Sequence, residues 1–450
     1  MLERDKDMAE LMITLSDSLR ENGNLQGALS LLYDAKKICR KIDRTAETLC
    51  LSRMGILYES MGRLEKALIF FEADYNLSCK YLPQFTGRPH QEILHCVALA
   101  CQNIAKAHIS LFKPNKALKY LAKFILLCEA LVDVSPGNDE YERALACSYQ
   151  CLGYYSETKN DIAGTIRHYE IFNQLAGKLY STDINNPYCL NLLATANILS
   201  GAAYFANNQL QPALACYITC YDALTVLGTT LPENIAIRSQ MANVSLELAG
   251  LYRAFEDIEN SIYYYQVSAS RYTSLVEACP GVVSFKDSLA VCMQETGRLY
   301  EHTGDFNEAY LHYKEFHRLS AKLADENPGN IKFSISLGAS YQYLGNMYLK
   351  RGDTDNAIEH HINKLHIFYE LYRSIPQNET IAVGLGSAYQ DLGIAYNLSG
   401  NTQKAEICFQ KMIEVFKNTY ESNPANEECR ENLLIACEIF SQFYEEHKLY

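Results

Sequence analysis

Six histidines, His302, His312, His317, His360, His361 and His366, crowd into one part of this chain. A metal cage would also need Cys or carboxylate at ligand spacing. Neither His302 nor His361 has one, so no metal site is expected. Catalysis needs a nucleophile, a base and a group that orients it. The chain has no Gly-x-x-x-x-Gly-Lys, no His-Glu-x-x-His and no Gly-x-Ser-x-Gly, so no catalytic residue or cofactor is expected. Gly384-Leu-Gly386 is a lone fragment inside a predicted helix, without the strand that would give it meaning. Lys116, Lys119 and Lys123 share one face of a predicted helix, with Lys113 just before them. The spacing of three and four reads as a solvated outer face rather than a docking patch. The most suggestive group is neutral: Gln102, Gln150, Gln294, Gln342 and Gln390 stand in register with one another. A carboxamide offers a donor and an acceptor together, which suits the carbonyl and amide of a bound peptide backbone.

That register comes from a repeat. Leu145-Ala-Cys-Ser-Tyr-Gln-Cys-Leu-Gly153, Leu337-Gly-Ala-Ser-Tyr-Gln-Tyr-Leu-Gly345 and Leu385-Gly-Ser-Ala-Tyr-Gln-Asp-Leu-Gly393 are versions of one segment, and the last two are 48 residues apart. In phase with them runs a column of small residues: Ser16, Gly55, Ala105, Gly153, Gly201, Ala249, Gly297, Gly345, Gly393 and Ser441. Three residues on, Tyr58, Tyr204, Tyr252, Tyr300, Tyr348, Tyr396 and Tyr444 dominate a second column. Twelve after the first comes another small column, including Ala28, Ala67, Ala117, Ala213 and Ala309. Sixteen after the first stands a bulky one: Leu32, Phe71, Leu121, Tyr169, Tyr217, Tyr265, Tyr313, His361 and Phe409. A small residue lets two helices approach, and a large ring one turn away fills the groove this leaves.

Breaks fall just as regularly. Gly23, Gly62, Gly304, Gly352 and Gly400, with Asn160 and Asn208, stand where a left-handed residue ends a helix. Asn24, Asp305, Asp353 and Asn401 follow as N-caps of a second helix. Pro136, Pro232, Pro280, Pro328, Pro376 and Pro424 close the units, mostly as Pro-x-Asn turns. Each unit is therefore predicted to be a helix, a tight turn and an antiparallel helix.

Composition agrees. Apolar residues make up 48% and charged residues 21%, the balance of a folded soluble protein. Gly at 23 and Pro at 11 are too few for a turn-rich sandwich. Sixteen Cys without a Cys-x-x-Cys read as free thiols in a reducing cytoplasm. The start of the chain is charged, and its one early apolar run, Leu11 to Leu15, is too short for a signal-peptide core. No stretch is expected to cross a membrane. The net charge of −13 lies wholly in residues 151–450, because residues 1–150 balance at 19 of each sign. Such a surface repels polyanions and disfavours nucleic acid.

These columns resemble the tetratricopeptide repeat: a Leu-Gly-x-x-Tyr first helix, a Gly turn, then Ala-x-x-x-Tyr/Phe and a closing Pro. The usual period is about 34, so a step of 48 lengthens each helix to roughly 20 residues, about 30 Å. The resemblance implies an all-α fold, a right-handed α-solenoid of about nine helix-turn-helix repeats plus a C-terminal capping helix. The single array covers 1–450, with units near 4–43, 44–84, 90–135, 138–183, 186–231, 234–279, 282–327, 330–375 and 378–423, and the cap at 426–450. The polar end, Glu438 to Lys448, suits a cap that finishes the array. In such arrays first helices line a concave groove. The position three before the small column then gives a candidate partner-binding surface of Gln102, Gln150, Ile198, Leu246, Gln294, Gln342 and Gln390, with Phe205 also facing inward. Ile198, Leu246 and Phe205 would form an apolar pocket within an amide ladder. Alternatively, the amides merely cap a solvated groove or brace the adjacent helix. No trio of cations matches the arrays that clamp chaperone tails. The expected function is a non-enzymatic scaffold or adaptor holding a protein or peptide partner; the alternative is a ligand-sensing subunit or sensor arm of a bacterial signalling or defence system.

Overall fold

In a computed structural model, which describes residues 2–21, 24–42, 44–84 and 86–447, every long element is an α-helix and no strand occurs among the described residues. The helices gather into two compact units, Met1–Thr230 and Leu231–Tyr450. The first unit holds five pairs: α1 (Leu2–Glu21) with α2 (Leu25–Ile42), α3 (Arg44–Ser60) with α4 (Leu64–Tyr81), α5 (Arg88–Ser110) with α6 (Pro114–Val134), α7 (Asp139–Thr158) with α8 (Ile162–Thr182), and α9 (Pro187–Ala206) with α10 (Leu210–Thr230). The second holds four pairs and a last helix. These are α11 (Ile235–Ala254) with α12 (Ile258–Ala278), α13 (Val283–His302) with α14 (Phe306–Glu326), α15 (Ile331–Lys350) with α16 (Thr354–Ser374), α17 (Glu379–Leu398) with α18 (Thr402–Ser422), and α19 (Glu427–His447). Each unit is a stack of helix pairs.

The local signals act as predicted. Gly62, Gly304, Gly352 and Gly400 take φ of +71°, +83°, +79° and +79°, and Asn160 and Asn208 take +57° and +56°. A left-handed residue turns the chain sharply enough for the second helix to run back along the first. Asn24, Asp305, Asp353 and Asn401 then accept from Gly27, Glu308, Asn356 and Lys404 amides, which satisfies exposed donors of the second helix. The asparagines of the Pro-x-Asn turns cap first helices: Asn138, Asn234 and Asn378 accept from Tyr141, Ile237 and Ile381. Gly23 and residues 448–450 lie outside the described residues.

Within a pair, the small column receives the bulky one. A Cβ added at Gly153 would lie 2.2 Å from the Tyr169 ring, and at Gly201, Gly297 and Gly393 it would meet Tyr217, Tyr313 and Phe409 at 2.6–2.7 Å. The rings therefore lie flat on bare backbone. Tyr169, Tyr217 and Tyr313 are fully buried, and each contributes on the order of 4–6 kcal/mol of gross apolar burial. The other Tyr column is half-buried and stacks on the residue twelve further on, as Tyr58 on Phe70, Tyr252 on Tyr264 and Tyr300 on His312 at 5.2–5.4 Å. The two ring columns account for eleven of the 33 tyrosines.

Each second helix also packs on the first helix of the next pair within its unit. First helices in addition touch the next first helix, as α3 with α5, α5 with α7, and α15 with α17; second helices make no contact of that extent with one another. The first helices therefore form the tighter layer in each unit. One expectation needs correction. Helices α9 and α10 are long and apolar enough by length and composition to cross a membrane. The repeat explains them: α9 carries small and apolar residues on all sides, and here it packs as the partner of α10.

Candidate functional site

The first-helix face of the first unit holds the clearest groove. Leu99, Gln102 and Lys106 on α5, Arg143, Ala144 and Cys147 on α7, and Tyr188 at the start of α9 line a depression of about 480 Å³. Lys106 and Arg143 lie within ion-pair distance of no carboxylate among the described residues. The Arg143 guanidinium instead lies 5.0 Å from the centre of the Tyr188 ring, itself 56% exposed. That stacking leaves the cation facing the groove with its hydrogen-bond donors available. At the far wall His95 sits 3.5 Å from Glu140. Burial pulls the His95 pKa below its ordinary value, Glu140 opposes that and Arg143 adds to it. The groove thus combines apolar floor, an exposed aromatic edge and two free cations.

The predicted ladder is only partly open to such a groove. Gln102 is 9% exposed and its amide reaches the Cys151 sulfur at 3.8 Å. Gln294 donates to the Tyr343 hydroxyl at 3.3 Å, again 49 residues further on. Gln342 accepts from Lys364 at 3.0 Å. In these three repeats the amides brace neighbouring helices. Gln150 and Gln390 are half-buried and make no hydrogen bond among the described residues. Ile198 and Phe205 are half-buried in the first unit, whereas Leu246 packs in the second against the cores around Tyr265 and Phe285.

The most open first-helix position comes one residue after the small column, at Lys106, Tyr154, Ala202, Arg298 and Ile394. Its register was available in the sequence, four residues from the ladder and therefore about one turn along the same face. Arg143 and Tyr188 stand near helix starts, outside any column. In the lysine stripe, Lys116 and Lys119 are exposed, but Lys123 donates to the Tyr75 hydroxyl at 2.8 Å.

The histidines mostly serve as packing rings. His312 stacks on Tyr300, His317 bonds Ser340 at 2.9 Å, and His360 lies 5.0 Å from Tyr348. No three metal-ligating groups converge among the described residues. His361 takes the bulky-column place against Gly345, fully buried, and neither ring nitrogen has a hydrogen-bond partner. Next to it Lys364, 1% exposed, reaches Gln342, Ser387 and Asp391 at 3.0, 2.9 and 2.6 Å. All sixteen cysteines are free thiols.

Comparison with known proteins bears on the fold. Residues 340–367 match the profile of the tetratricopeptide repeat. No curated protein matches the chain in sequence. Among solved structures, the signal transduction ATPase with numerous domains from Pyrococcus horikoshii, which carries a tetratricopeptide repeat sensor, is similar with a TM-score of 0.54 at 14% identity. That likeness covers 92% of this chain and 55% of the Pyrococcus protein, so this chain spans about half its length. The apo form of RapI is similar with a TM-score of 0.51 at 13% identity, over 78% of this chain and 85% of RapI. The repeat at 340–367 sits across the α15–α16 turn, and the same columns build the other pairs. On those grounds the fold is that of a tetratricopeptide-type array of helix pairs.

Proposed function

We propose that this chain is a non-catalytic binding module that holds a protein or peptide partner on its first-helix face. The observation that carries the reading is the groove of the first unit, where exposed Lys106 and Tyr188 and half-buried Arg143 surround an apolar floor. Exposed Tyr and Arg are the side chains that dominate binding energy in interfaces. The groove cations favour a partner with acidic residues. Sixteen free thiols suit a reducing compartment such as the cytoplasm.

A purified full-length chain panned against a random peptide library tests this. The selected peptides should bind a variant carrying Lys106→Glu, Arg143→Glu and Tyr188→Ala at least tenfold more weakly. Lys119→Glu on the outer face should leave affinity unchanged. Equal binding by the groove variant, with helix content intact by circular dichroism, would remove the proposal. The sensor reading draws on the Pyrococcus neighbour, whose repeat domain is described as a sensor. It requires the bound peptide to alter the chain's scattering profile, whereas a scaffold keeps one profile.

A further inference from the structure

At the junction between one pair and the next, six positions surround a small depression that recurs along the chain. Between α7, α8 and α9 these positions are Glu157, Asn160, Ile162, Ala202, Ala203 and Ala206, around about 310 Å³. Two repeats on they are Arg253, Glu256, Ile258, Arg298, Leu299 and His302, around about 510 Å³. The chemistry of the site has therefore been exchanged on an unchanged frame.

Neighbouring repeats indicate what the exchange removes. One repeat further on, Glu301 occupies the place of Arg253. One of its oxygens accepts the buried Tyr313 hydroxyl at 2.6 Å, and the other accepts Lys350 at 2.7 Å. Lys350 also lies 4.6 Å from the centre of the Phe306 ring, closing that junction. Two repeats back, burial and the neighbouring Glu157 raise the Tyr169 pKa, and one repeat back the same place holds Phe205. At Arg253 the carboxylate is gone. Tyr265, the counterpart of Tyr169 and Tyr313, is 3% exposed, and its hydroxyl makes no hydrogen bond among the described residues. Its electrostatic neighbours are Glu295, Arg253 and Arg298. Arg253 reaches Glu295 at 2.5 Å, and Arg298 reaches the same carboxylate at 3.0 and 3.2 Å. One carboxylate thus serves two guanidinium groups, each of which keeps further N–H donors. His302 stands where Lys350 stands in the next repeat, and Glu256 is exposed at the rim.

We propose that this junction binds a carboxylate of the partner, a Glu or Asp side chain or a chain terminus, in the place that Glu301 fills one repeat further on. The incoming oxygens accept the Tyr265 hydroxyl and the N–H groups of Arg298 and Arg253. In two sister repeats the side chain in this place, Glu157 and Glu301, is a carboxylate, which favours that oxyanion over phosphate. The assignment rests on reading the first helices as the partner face only for the source of the carboxylate.

The test is a saturation-transfer NMR titration of the full chain at constant ionic strength. The probes are acetyl-Ala-Glu-Ala-amide, acetyl-Ala-Gln-Ala-amide and inorganic phosphate. The Glu peptide should bind at least tenfold more tightly than the Gln peptide, and Tyr265→Phe should weaken it at least threefold. Arg253→Glu restores the carboxylate in cis, so it should abolish the Glu-peptide signal while raising the melting temperature, which excludes unfolding as the cause. Equal affinity for the Glu and Gln peptides, or undiminished binding by Arg253→Glu, overturns the site. A tenfold preference for phosphate overturns the carboxylate assignment. The outer-face Lys119→Glu variant should titrate like the wild type, and a Glu-over-Gln preference lost in Arg253→Glu but kept in Lys106→Glu/Arg143→Glu separates failure of this site from failure of the groove.

Discussion

Replacing His361 by Phe should stabilise the second unit, and by more in acid than at neutral pH. His361 occupies the ring position of its pair with both nitrogens buried and without partners. The equivalent places against Gly55 and Gly393 hold Phe71 and Phe409, so the frame accepts a phenyl ring. Removing the unsatisfied polar atoms should gain about 1–3 kcal/mol at pH 7. Acid adds a second effect. Burial pulls the His361 pKa from 6.5 to about 4; Asp391 opposes this, while Lys364 and His360 add to it. Below pH 6.5 the unfolded chain takes up a proton that the folded chain refuses until about pH 4. Stability therefore falls as pH drops through that window and levels off beneath it, by about 3 kcal/mol in all. His361→Phe should lack that loss. Repeat arrays need not unfold in one step, so the readout is hydrogen exchange of α15 and α16 amides at pH 7 and, corrected for intrinsic rates, at pH 4.5. If the variant exchanges no more slowly at pH 7, and its pH dependence matches the wild type, the reading of His361 as an unpaired core ring is wrong.

Asp74 should give the opposite slope in the first unit. Burial raises its pKa to about 7, with Ser78 its hydrogen-bond partner, so its contribution falls by about 4 kcal/mol as pH rises from 3.8 to 7. Asp74→Asn should match the wild type near pH 4 and exceed it at pH 8 in urea melts; parallel curves would refute this. Gly153→Ala drives a methyl into the Tyr169 ring and should cost about 1–3 kcal/mol. Gly177→Ala, with open space around it, should gain up to about 1 kcal/mol from helix propensity, and equal effects would sink the ring-on-glycine account. Lys364→Met strands Asp391 and should cost about 3–5 kcal/mol. The double variant with Asp391→Leu should recover most of that, and a double variant no better than the single one would count against a buried ion pair.

The sequence by itself determined the helix pairs, their turns and their packing columns. Each rests on chemistry local to one helix pair: a glycine that accepts positive φ, an Asn or Asp that reaches amides two or three residues on, a small residue sixteen before a ring. Repetition over many units makes such signals legible without contacts. What only the tertiary structure decided is which polar groups are left over. Whether Gln102 faces a groove or braces Cys151 depends on a residue 49 positions away. Lys364 looks solvent-bound in the sequence and lies fully enclosed between three helices. Arg253 reads as a lone surface cation in the sequence, whereas in the fold it shares the Glu295 carboxylate with Arg298. Local propensity sets where the backbone goes, whereas the state of a polar atom depends on every neighbour that could satisfy it, and those neighbours come from other repeats.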